Sequence, residues 1–144
     1  AEAAGRSLAD VDIQAGGAVR FGDDPAELMG HHRPGVAFSL GAMGSPRTNF
    51  YNDAYKRAGF EEACVRVQEL WVEGRRDEAV AAVPDELVLQ TNLLGDDAAV
   101  KARIRAYRDA GVNTLRLGPT GRTLDERVEC LGRALDLVRE VNAE

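Results

Sequence analysis

The chain has 144 residues, of which 44% are hydrophobic and 29% charged, with a formal net charge of −6 at pH 7. Its length suits one domain, and no apolar run approaches the roughly 20 residues that span a bilayer. We therefore expect a soluble globular protein without membrane association. Basic residues are interspersed with acidic ones along the predicted helices, which argues against a nucleic-acid partner.

The two cysteines indicate a reducing compartment. Cys64 and Cys130 lie on apolar faces of predicted helices, with no second Cys or His at metal-ligand spacing. We interpret both as reduced core thiols and expect no metal site. Residues 1–5 lack the basic and apolar segments of a secretory signal. These features predict a cytoplasmic protein.

The first half of the chain predicts one strand and three helical segments. Residues 12–21 contain the apolar positions of a strand, and the N-cap acid Asp24 followed by Pro25 starts a helix. The apolar run at residues 35–44 suits a buried strand or a buried helix, and periodicity does not decide between them. We choose a helix whose first turn contains Pro34. Residues 60–74 form a further amphipathic helix.

The second half predicts a strand within residues 87–94, a helix over 97–110, a strand over 112–117 and a C-terminal helix. Asp96 and Asp97 open the helix over 97–110 by the capping chemistry of an N-terminal acid. Thr123 and Glu126 have the spacing of a capping box at the start of that last helix. The apolar residues that follow recur at steps of four and three, the pattern of an amphipathic helix; they are Leu124, Val128, Leu131, Leu135 and Val138.

The order of these elements predicts the fold class. Helix, glycine stop, short strand, loop and helix follow one another, which is typical of βαβ units with parallel strands and outer helices. Proline and glycine fall singly at the ends of elements and do not cluster into a linker. We therefore expect one α/β unit over residues 1–144.

Candidate binding residues follow the last predicted strand, since ligands of parallel α/β proteins meet the loops at the carboxyl ends of strands. Gly118 and Gly121 permit close backbone approach, amide groups of the next helix point outward, and Arg122 adds positive charge. The loop, which includes Thr120, could hold a phosphate or carboxylate. The alternative is an ordinary tight turn with a Thr cap, because no Walker lysine or complete dinucleotide fingerprint is present.

A second candidate is the polar and aromatic segment at residues 41–52, which is longer than a simple connection requires. Its polar side chains could hydrogen-bond a ligand, and its rings could wall a pocket or anchor the loop on its own core. The polar candidates are Ser45, Arg47, Thr48, Asn49 and Asn52, and the aromatic ones are Phe50, Tyr51 and Tyr55.

Other reactive patterns are weak. His31 and His32 are adjacent, so on a helix they point in different directions and do not suit one metal ion; we expect them at a helix end or in a loop. No Ser or Cys stands in a nucleophile-elbow context. Covalent catalysis by this chain therefore has no support.

Several stretches in ordered succession resemble the C-terminal part of luciferase-like monooxygenases, most of all the actinobacterial type predicted to use the deazaflavin coenzyme F-420. They are PGVAFSLGAMG at 34–44, NFY at 49–51, AGF at 58–60, VQELW at 67–71, PDELV at 84–88, LG at 94–95 and YRDAGVNTLRL at 107–117.

The resemblance implies a (β/α)8 barrel, of which this chain is the C-terminal portion, about half, with roughly the last three strands. It implies an oxidoreductase or monooxygenase in which F-420 or FMN, bound in the complete barrel, transfers hydride to or from an unidentified small molecule. We expect the chain alone to be inactive, and to form a homo-oligomer or to associate with the missing N-terminal half.

By position, the resemblance places Ser45, Asn49, Phe50 and Tyr51 near the barrel mouth. Arg116 and the loop with Gly118, Thr120, Gly121 and Arg122 follow the last strand at the same face. No catalytic acid or base carries over. The alternative function is a stand-alone α/β module that binds a phosphorylated small molecule without redox chemistry, and a third is a structural remnant with no ligand.

Overall fold

The computed structural model describes residues 2–45 and 47–144. They form two compact units. The first consists of Thr91–Glu144 with the described part of Ala1–Asp24, and the second is Pro25–Gln90. The expectation of one α/β unit over residues 1–144 stays a prediction, since two compact units can belong to one domain.

The first unit is built on a parallel sheet. Its strands are β1 (Gln14–Phe21), β2 (Leu93–Gly95) and β3 (Thr114–Pro119), in the order β2-β1-β3. Val19 is in register with Leu93, and Gln14 with Thr114. The α/β class and the parallel strands predicted from the sequence are confirmed.

The central position of β1 departs from the consecutive strand order that a barrel segment implies. Two adjacent glycines let other backbone segments approach β1 closely. A Cβ on Gly16 would lie 2.0 Å from the Arg116 carbonyl oxygen, and one on Gly17 would lie 2.1 Å from that of Thr91. Side chains at these positions would prevent this packing, so the glycines allow β1 to pair with both neighbours.

Two helices pack on one face of the sheet, namely α6 (Asp97–Asp109) and α7 (Leu124–Asn142). Their predicted caps are confirmed, because the Asp96 side chain accepts a hydrogen bond from the Ala99 amide and Thr123 with Glu126 forms a full capping box. The buried core between sheet and helices consists of Val19, Leu93, Val100, Ile104, Ala134, Leu137 and Val141.

The apolar periodicity of α7 does not coincide with its buried face. Leu124 is 71% exposed, Val128 61% and Leu135 40%. The buried residues of this helix include Ala134 and Leu137, which lie on a different side of it. The sheet therefore selects a face of α7 about a third of a turn away from the most regular apolar stripe.

The second unit is helical. It contains α1 (Pro25–Ala42), α2 (Phe50–Tyr55), α3 (Glu61–Val72), α4 (Arg76–Ala81) and α5 (Asp85–Thr91, which ends one residue inside the first unit). A single π-type turn at Lys56–Phe60 joins α2 to α3 and is kinked at Gly59, whose φ is 100°. The short helices α2, α4 and α5 were not predicted, and α5 occupies most of the segment considered for a strand.

Helix α1 runs without a break through Pro34. The sequence predicted a helix over residues 35–44, which is confirmed as far as Ala42, but it placed Pro34 in a first turn and the two histidines at a helix end or in a loop. Both histidines instead lie inside α1. Proline removes one backbone hydrogen bond from a helix interior, and packing of α1 on α3 and α4 compensates for that loss.

Among the described residues, the structure holds no helix that is both long and apolar enough to cross a membrane.

Candidate functional site

The sheet has a helix-covered face and an opposite one, and alternation along the strands assigns each side chain to one of them. Leu115 and Leu117 pack against the core under α6 and α7, so Arg116 between them belongs to the opposite face. On β1, Val19 and Phe21 contact the same core. The opposite face therefore carries the buried Leu94, which is the register partner of Arg20, and four further residues that we call the open sheet face: Ala18, Arg20, Arg116 and Gly118.

The centre of the open sheet face has almost no side chain. Ala18 and Gly118 are register partners on adjacent strands. A Cβ on Gly118 would make only ordinary contacts, the nearest at 3.4 Å to the Gly17 carbonyl oxygen. The surface at Ala18 and Gly118 consists of backbone atoms and the Ala18 methyl group, and we call it the Ala18–Gly118 shelf. A flat ligand can approach it closely.

Arginines stand at opposite ends of this shelf. Arg116 precedes Gly118 by two residues on β3, and Arg20 follows Ala18 by two residues on β1. Arg116 is exposed, and its guanidinium forms no hydrogen bond or ion pair with any residue that the structure describes. A positive group beside a side-chain-free shelf suits a ligand that is both planar and anionic.

The loop after β3 is tied to the central strand by Thr120. Its amide and its hydroxyl both donate to the Val19 carbonyl oxygen, at 3.1 and 2.7 Å. The Thr120 hydroxyl is therefore committed to the backbone, and it positions the loop that follows the shelf.

Glu126 occupies the amide groups at the start of α7. Its carboxylate accepts from the Arg122 amide at 2.5 Å and from the Thr123 amide at 3.2 Å, and these bonds lower the pKa of Glu126. A Cβ on Gly121 would lie 2.8 Å from that of Glu126, so the loop packs closely on this side chain. The expectation that these amides face an incoming phosphate is therefore not met, because an internal carboxylate already accepts both hydrogen bonds.

The second unit carries the other predicted residues. The Ser45 and Thr48 hydroxyls are 2.8 Å apart, and the Arg47 amide donates to Ser45 Oγ at 3.3 Å. These three residues are exposed. They form a local polar turn whose surface is accessible to solvent.

Asn49 and Asn52 hold the helices of this unit together. Asn49 is 2% exposed, and its Nδ2 donates to the Leu40 carbonyl oxygen at 2.8 Å. Asn52 is 1% exposed and donates to the same carbonyl at 3.0 Å and to that of Cys64 at 2.9 Å. The Asn49 side chain also caps α2. In this structure both amides serve the backbone, so we assign them a positioning role.

Phe50 and Tyr51 are 70% and 44% exposed, and their rings form an edge-to-face pair with centroids 5.9 Å apart. They do not anchor the segment on its own core, which was the alternative interpretation. Tyr55 lies half-buried at the end of α2. Two exposed rings remain as a candidate contact for a ligand.

The structure thus divides the predicted site residues between its units. Arg116, Gly118, Thr120, Gly121 and Arg122 lie together in the first, and Ser45, Asn49, Phe50 and Tyr51 lie in the second. Sequence reasoning missed Ala18 and Arg20. The available signal was the alternation along β1, which places them opposite Val19 and Phe21.

The ionisable groups described next do not indicate a further catalytic or metal site. Burial raises the pKa of the Cys64 thiol, so this cysteine is a neutral core residue. His31 Nε2 lies 3.7 Å from Glu27 Oε1 on the surface of α1. In the described ranges no group of three or more histidine, cysteine or acidic side chains could hold a metal ion.

Comparison with known proteins connects this geometry to a family. The model of the luciferase-like monooxygenase family matches residues 1–114. A protein of Mycobacterium tuberculosis that bears the name coenzyme F-420-dependent oxidoreductase is 36% identical over 110 residues, which are 76% of this chain and 32% of the relative. The chain thus spans about a third of the length of that relative. The resemblance first indicated by the ordered stretches is confirmed, and the chain belongs to the luciferase-like monooxygenase family.

Proposed function

We propose that this chain supplies part of the cofactor site of an F-420- or FMN-dependent oxidoreductase with the (β/α)8 architecture of its family. Family membership and the name of the M. tuberculosis relative support the class of cofactor. Because the chain spans 32% of that relative, the activity of the whole protein is part of the proposal. The bound cofactor would supply hydride transfer, and the residues of this chain would bind and orient it.

The main observation behind the proposal is the open sheet face. Both cofactors combine a planar ring system with phosphate, and the Ala18–Gly118 shelf beside the exposed Arg116 fits that combination. Arg116 would hold an anionic group of the cofactor by charge-assisted hydrogen bonds, which contribute about 1.5–3 kcal/mol each. Thr120 would keep the adjoining loop in place through its two bonds to Val19.

Within the second unit, a separate group of exposed residues could contact a ligand. Phe50 and Tyr51 expose ring surface that can exclude water from a planar ligand. Ser45 would donate or accept one hydrogen bond from the polar turn, whose hydroxyl pair is solvent-accessible. In the first unit, the backbone amide of Arg122 donates a hydrogen bond to Glu126, but the Arg122 side chain is exposed.

The two cysteines support a proposal about the compartment. Cys64 and Cys130 are both free. Free thiols are typical of proteins in a reducing compartment, and we propose that this protein is located in the cytoplasm.

Cofactor titration tests the proposal. F-420 and FMN are each titrated against the chain co-expressed with the part of the M. tuberculosis relative outside its match to this chain, with quenching of cofactor fluorescence as the signal. We expect Arg116→Gln to weaken binding by about tenfold or more, since one charge-assisted bond is lost. Arg139→Gln is the matched control, because it removes the same charge from an exposed side chain on α7 whose partner is Asp136.

A second pair of variants tests the shelf. Gly118→Ala adds one methyl group at the proposed contact and should weaken binding, while Gly132→Ala adds one to an open position on α7 and should not. Binding of neither cofactor, or binding insensitive to Arg116→Gln and Gly118→Ala, would overturn the proposal. Saturable binding of inorganic phosphate alone, lost in Arg116→Gln, would instead identify a phosphate-binding module.

A further inference from the structure

The two sides of β1 are held in different ways at the level of the Ala18–Gly118 shelf. On the β3 side, Ala18 is in register with Gly118, and the pairing extends along β1 from Gln14 to Val19. On the β2 side, the register starts only at Val19, which is paired with Leu93. In the described part of the chain, Ala18 therefore has a strand partner on the β3 side only.

Helix α5 prevents β2 from starting earlier. The helix ends at Thr91 and β2 starts at Leu93, so Asn92 is the single residue between them. One residue further back in the register, Asn92 lies opposite Ala18. The Thr91 carbonyl oxygen lies so close to β1 that a Cβ on Gly17 would be 2.1 Å from it. The segment that leads into β2 is thus packed directly against β1.

The Asn92 side chain supplies the hydrogen-bond acceptor for Ala18 at this point. Its Oδ1 accepts a hydrogen bond of 3.1 Å from the Ala18 amide. Its Nδ2 donates to Thr91 Oγ1, also at 3.1 Å, which orients the side-chain amide with its oxygen towards β1. Asn92 and Ala18 are both half-buried. A backbone amide in such a place needs a partner, because burial without one is destabilising.

The backbone that leads to Ala18 needs such a constraint. Gly16 and Gly17 precede it, and residues without a side chain leave the backbone its greatest conformational freedom. After Ala18, the Val19 carbonyl oxygen is held from the β3 side by the loop that follows that strand. The hydrogen bond to Asn92 provides the matching constraint from the β2 side.

We propose that Asn92 is a positioning residue of the Ala18–Gly118 shelf, and that loss of its side-chain oxygen lowers the affinity for the cofactor. A planar ligand on the shelf contacts backbone atoms and one methyl group, so the contact depends on the position of β1 relative to β3. Asn92 acts through Ala18 and not by contact with the ligand. The inference rests on the proposed function, because an effect on affinity requires that the cofactor binds at the shelf.

Hydrogen exchange and cofactor titration test the inference on the co-expressed preparation described above. Asn92→Leu removes the side-chain oxygen and nitrogen and keeps the approximate size. We expect the Ala18 amide to exchange about fivefold to tenfold faster and the Kd of the cofactor to rise by a similar factor, since one hydrogen bond to the backbone is lost. NMR of the isotopically labelled chain measures exchange at individual amides.

Asn113→Leu is the matched control, because it removes the same side-chain groups just before the start of β1. Asn113 Oδ1 accepts from the Ile13 amide and its Nδ2 donates to the Val11 carbonyl oxygen, both at 2.8 Å. This variant should speed up exchange of the Ile13 amide. It should leave the exchange of the Ala18 amide and the affinity for the cofactor unchanged.

Asn92→Asp tests the acceptor itself. The carboxylate keeps an oxygen in the place of Oδ1, so the Ala18 amide should exchange at nearly the rate of the parent. If Asn92 only filled space, Asn92→Leu would preserve that role and leave the exchange of the Ala18 amide unchanged.

Three results would overturn the inference. One is an unchanged exchange rate of the Ala18 amide in Asn92→Leu, and another is faster exchange without any loss of cofactor affinity. The third is an equal loss of affinity in Asn113→Leu, because the effect would then be one of general stability. A parent that binds neither cofactor would refute the proposed function and with it the effect on affinity, whereas exchange of the Ala18 amide would still show whether Asn92 holds β1.

Discussion

The Thr120 hydroxyl donates a hydrogen bond of 2.7 Å to the Val19 carbonyl oxygen, 101 residues away in the sequence. The Thr120 amide and the Cys130 thiol donate to the same oxygen at 3.1 and 3.4 Å. One carbonyl of the central strand thus fixes both the loop after β3 and the first half of α7. The proposed cofactor surface depends on this anchor, since Gly118 lies two residues before Thr120.

Removal of the Thr120 hydroxyl should loosen the loop. Thr120→Val keeps the size of the side chain but deletes one hydrogen bond, and we expect a loss of about 1 kcal/mol in the free energy of unfolding. Thr120→Ser keeps the hydroxyl and should stay within a few tenths of a kcal/mol of the parent by the same reasoning. Urea denaturation measures both, and equal stability of the two variants would contradict the anchoring role.

Two glycines of α1 should respond in opposite ways to the same substitution. A Cβ on Gly41 would lie 2.2 Å from Trp71 Cγ, whereas one on Gly35 would meet no atom within 4 Å. Gly41→Ala should therefore destabilise the protein by about 1–3 kcal/mol through overpacking. Gly35→Ala should stabilise it by up to about 1 kcal/mol, since alanine is the better helix former.

Thermal unfolding of both variants is the measurement. Near-ultraviolet circular dichroism adds a specific signal, because the Trp71 ring also contacts Phe38 in an edge-to-face pair at 5.9 Å and Arg76 at 4.0 Å from its centroid. No destabilisation by Gly41→Ala would contradict the close contact with Trp71, and destabilisation by Gly35→Ala would contradict the open position of Gly35.

Glu144 should make stability depend on acid pH. Hydrogen bonds from Arg105 and Lys101 hold the pKa of Glu144 at about 2, below its ordinary value of 4.5. A carboxylate with a lowered pKa in the folded state stabilises the protein fully above 4.5, and this contribution disappears as the pH falls towards 2. The group is exposed, so added salt should reduce the effect.

The comparison of Glu144→Gln with the parent isolates this carboxylate. We expect the parent to be the more stable at neutral pH and the difference to shrink as the pH falls from 4.5 to 2. Urea midpoints across that range measure it. A difference that stays constant, or that grows on acidification, would show that the Arg105 and Lys101 contacts do not contribute through the ionised form.

Local chemistry was predicted well. Asp96 and Thr123 were identified as helix caps, and each accepts its bond from an amide three residues away. Such bonds depend only on neighbours in the chain, so the sequence contains the information they need. The parallel direction of the strands followed from the order of the elements, whereas for residues 35–44 periodicity left a strand and a helix open and the helix was chosen largely from the family resemblance.

The site was predicted less completely. Arg116 and Gly118 were identified, and they lie on the open sheet face as solvent-accessible residues. Asn49 was grouped with them for its polarity, yet its amide is used by the carbonyl groups of Ser39 and Leu40. Polarity marks a side chain that needs a partner, and only the fold shows whether that partner is the protein's own backbone or a ligand.

By itself, the sequence determined the α/β class, the family, the caps of α6 and α7 and the amphipathic character of α7, because each depends on residue order or on contacts within a few residues. Only the tertiary structure decided that β1 lies between β2 and β3, that Gly118 faces away from the helices, and that Leu124 and Val128 remain exposed. Those outcomes depend on which strand or helix lies alongside, and distant segments such as Gly16 and Arg116 meet only after the chain has folded.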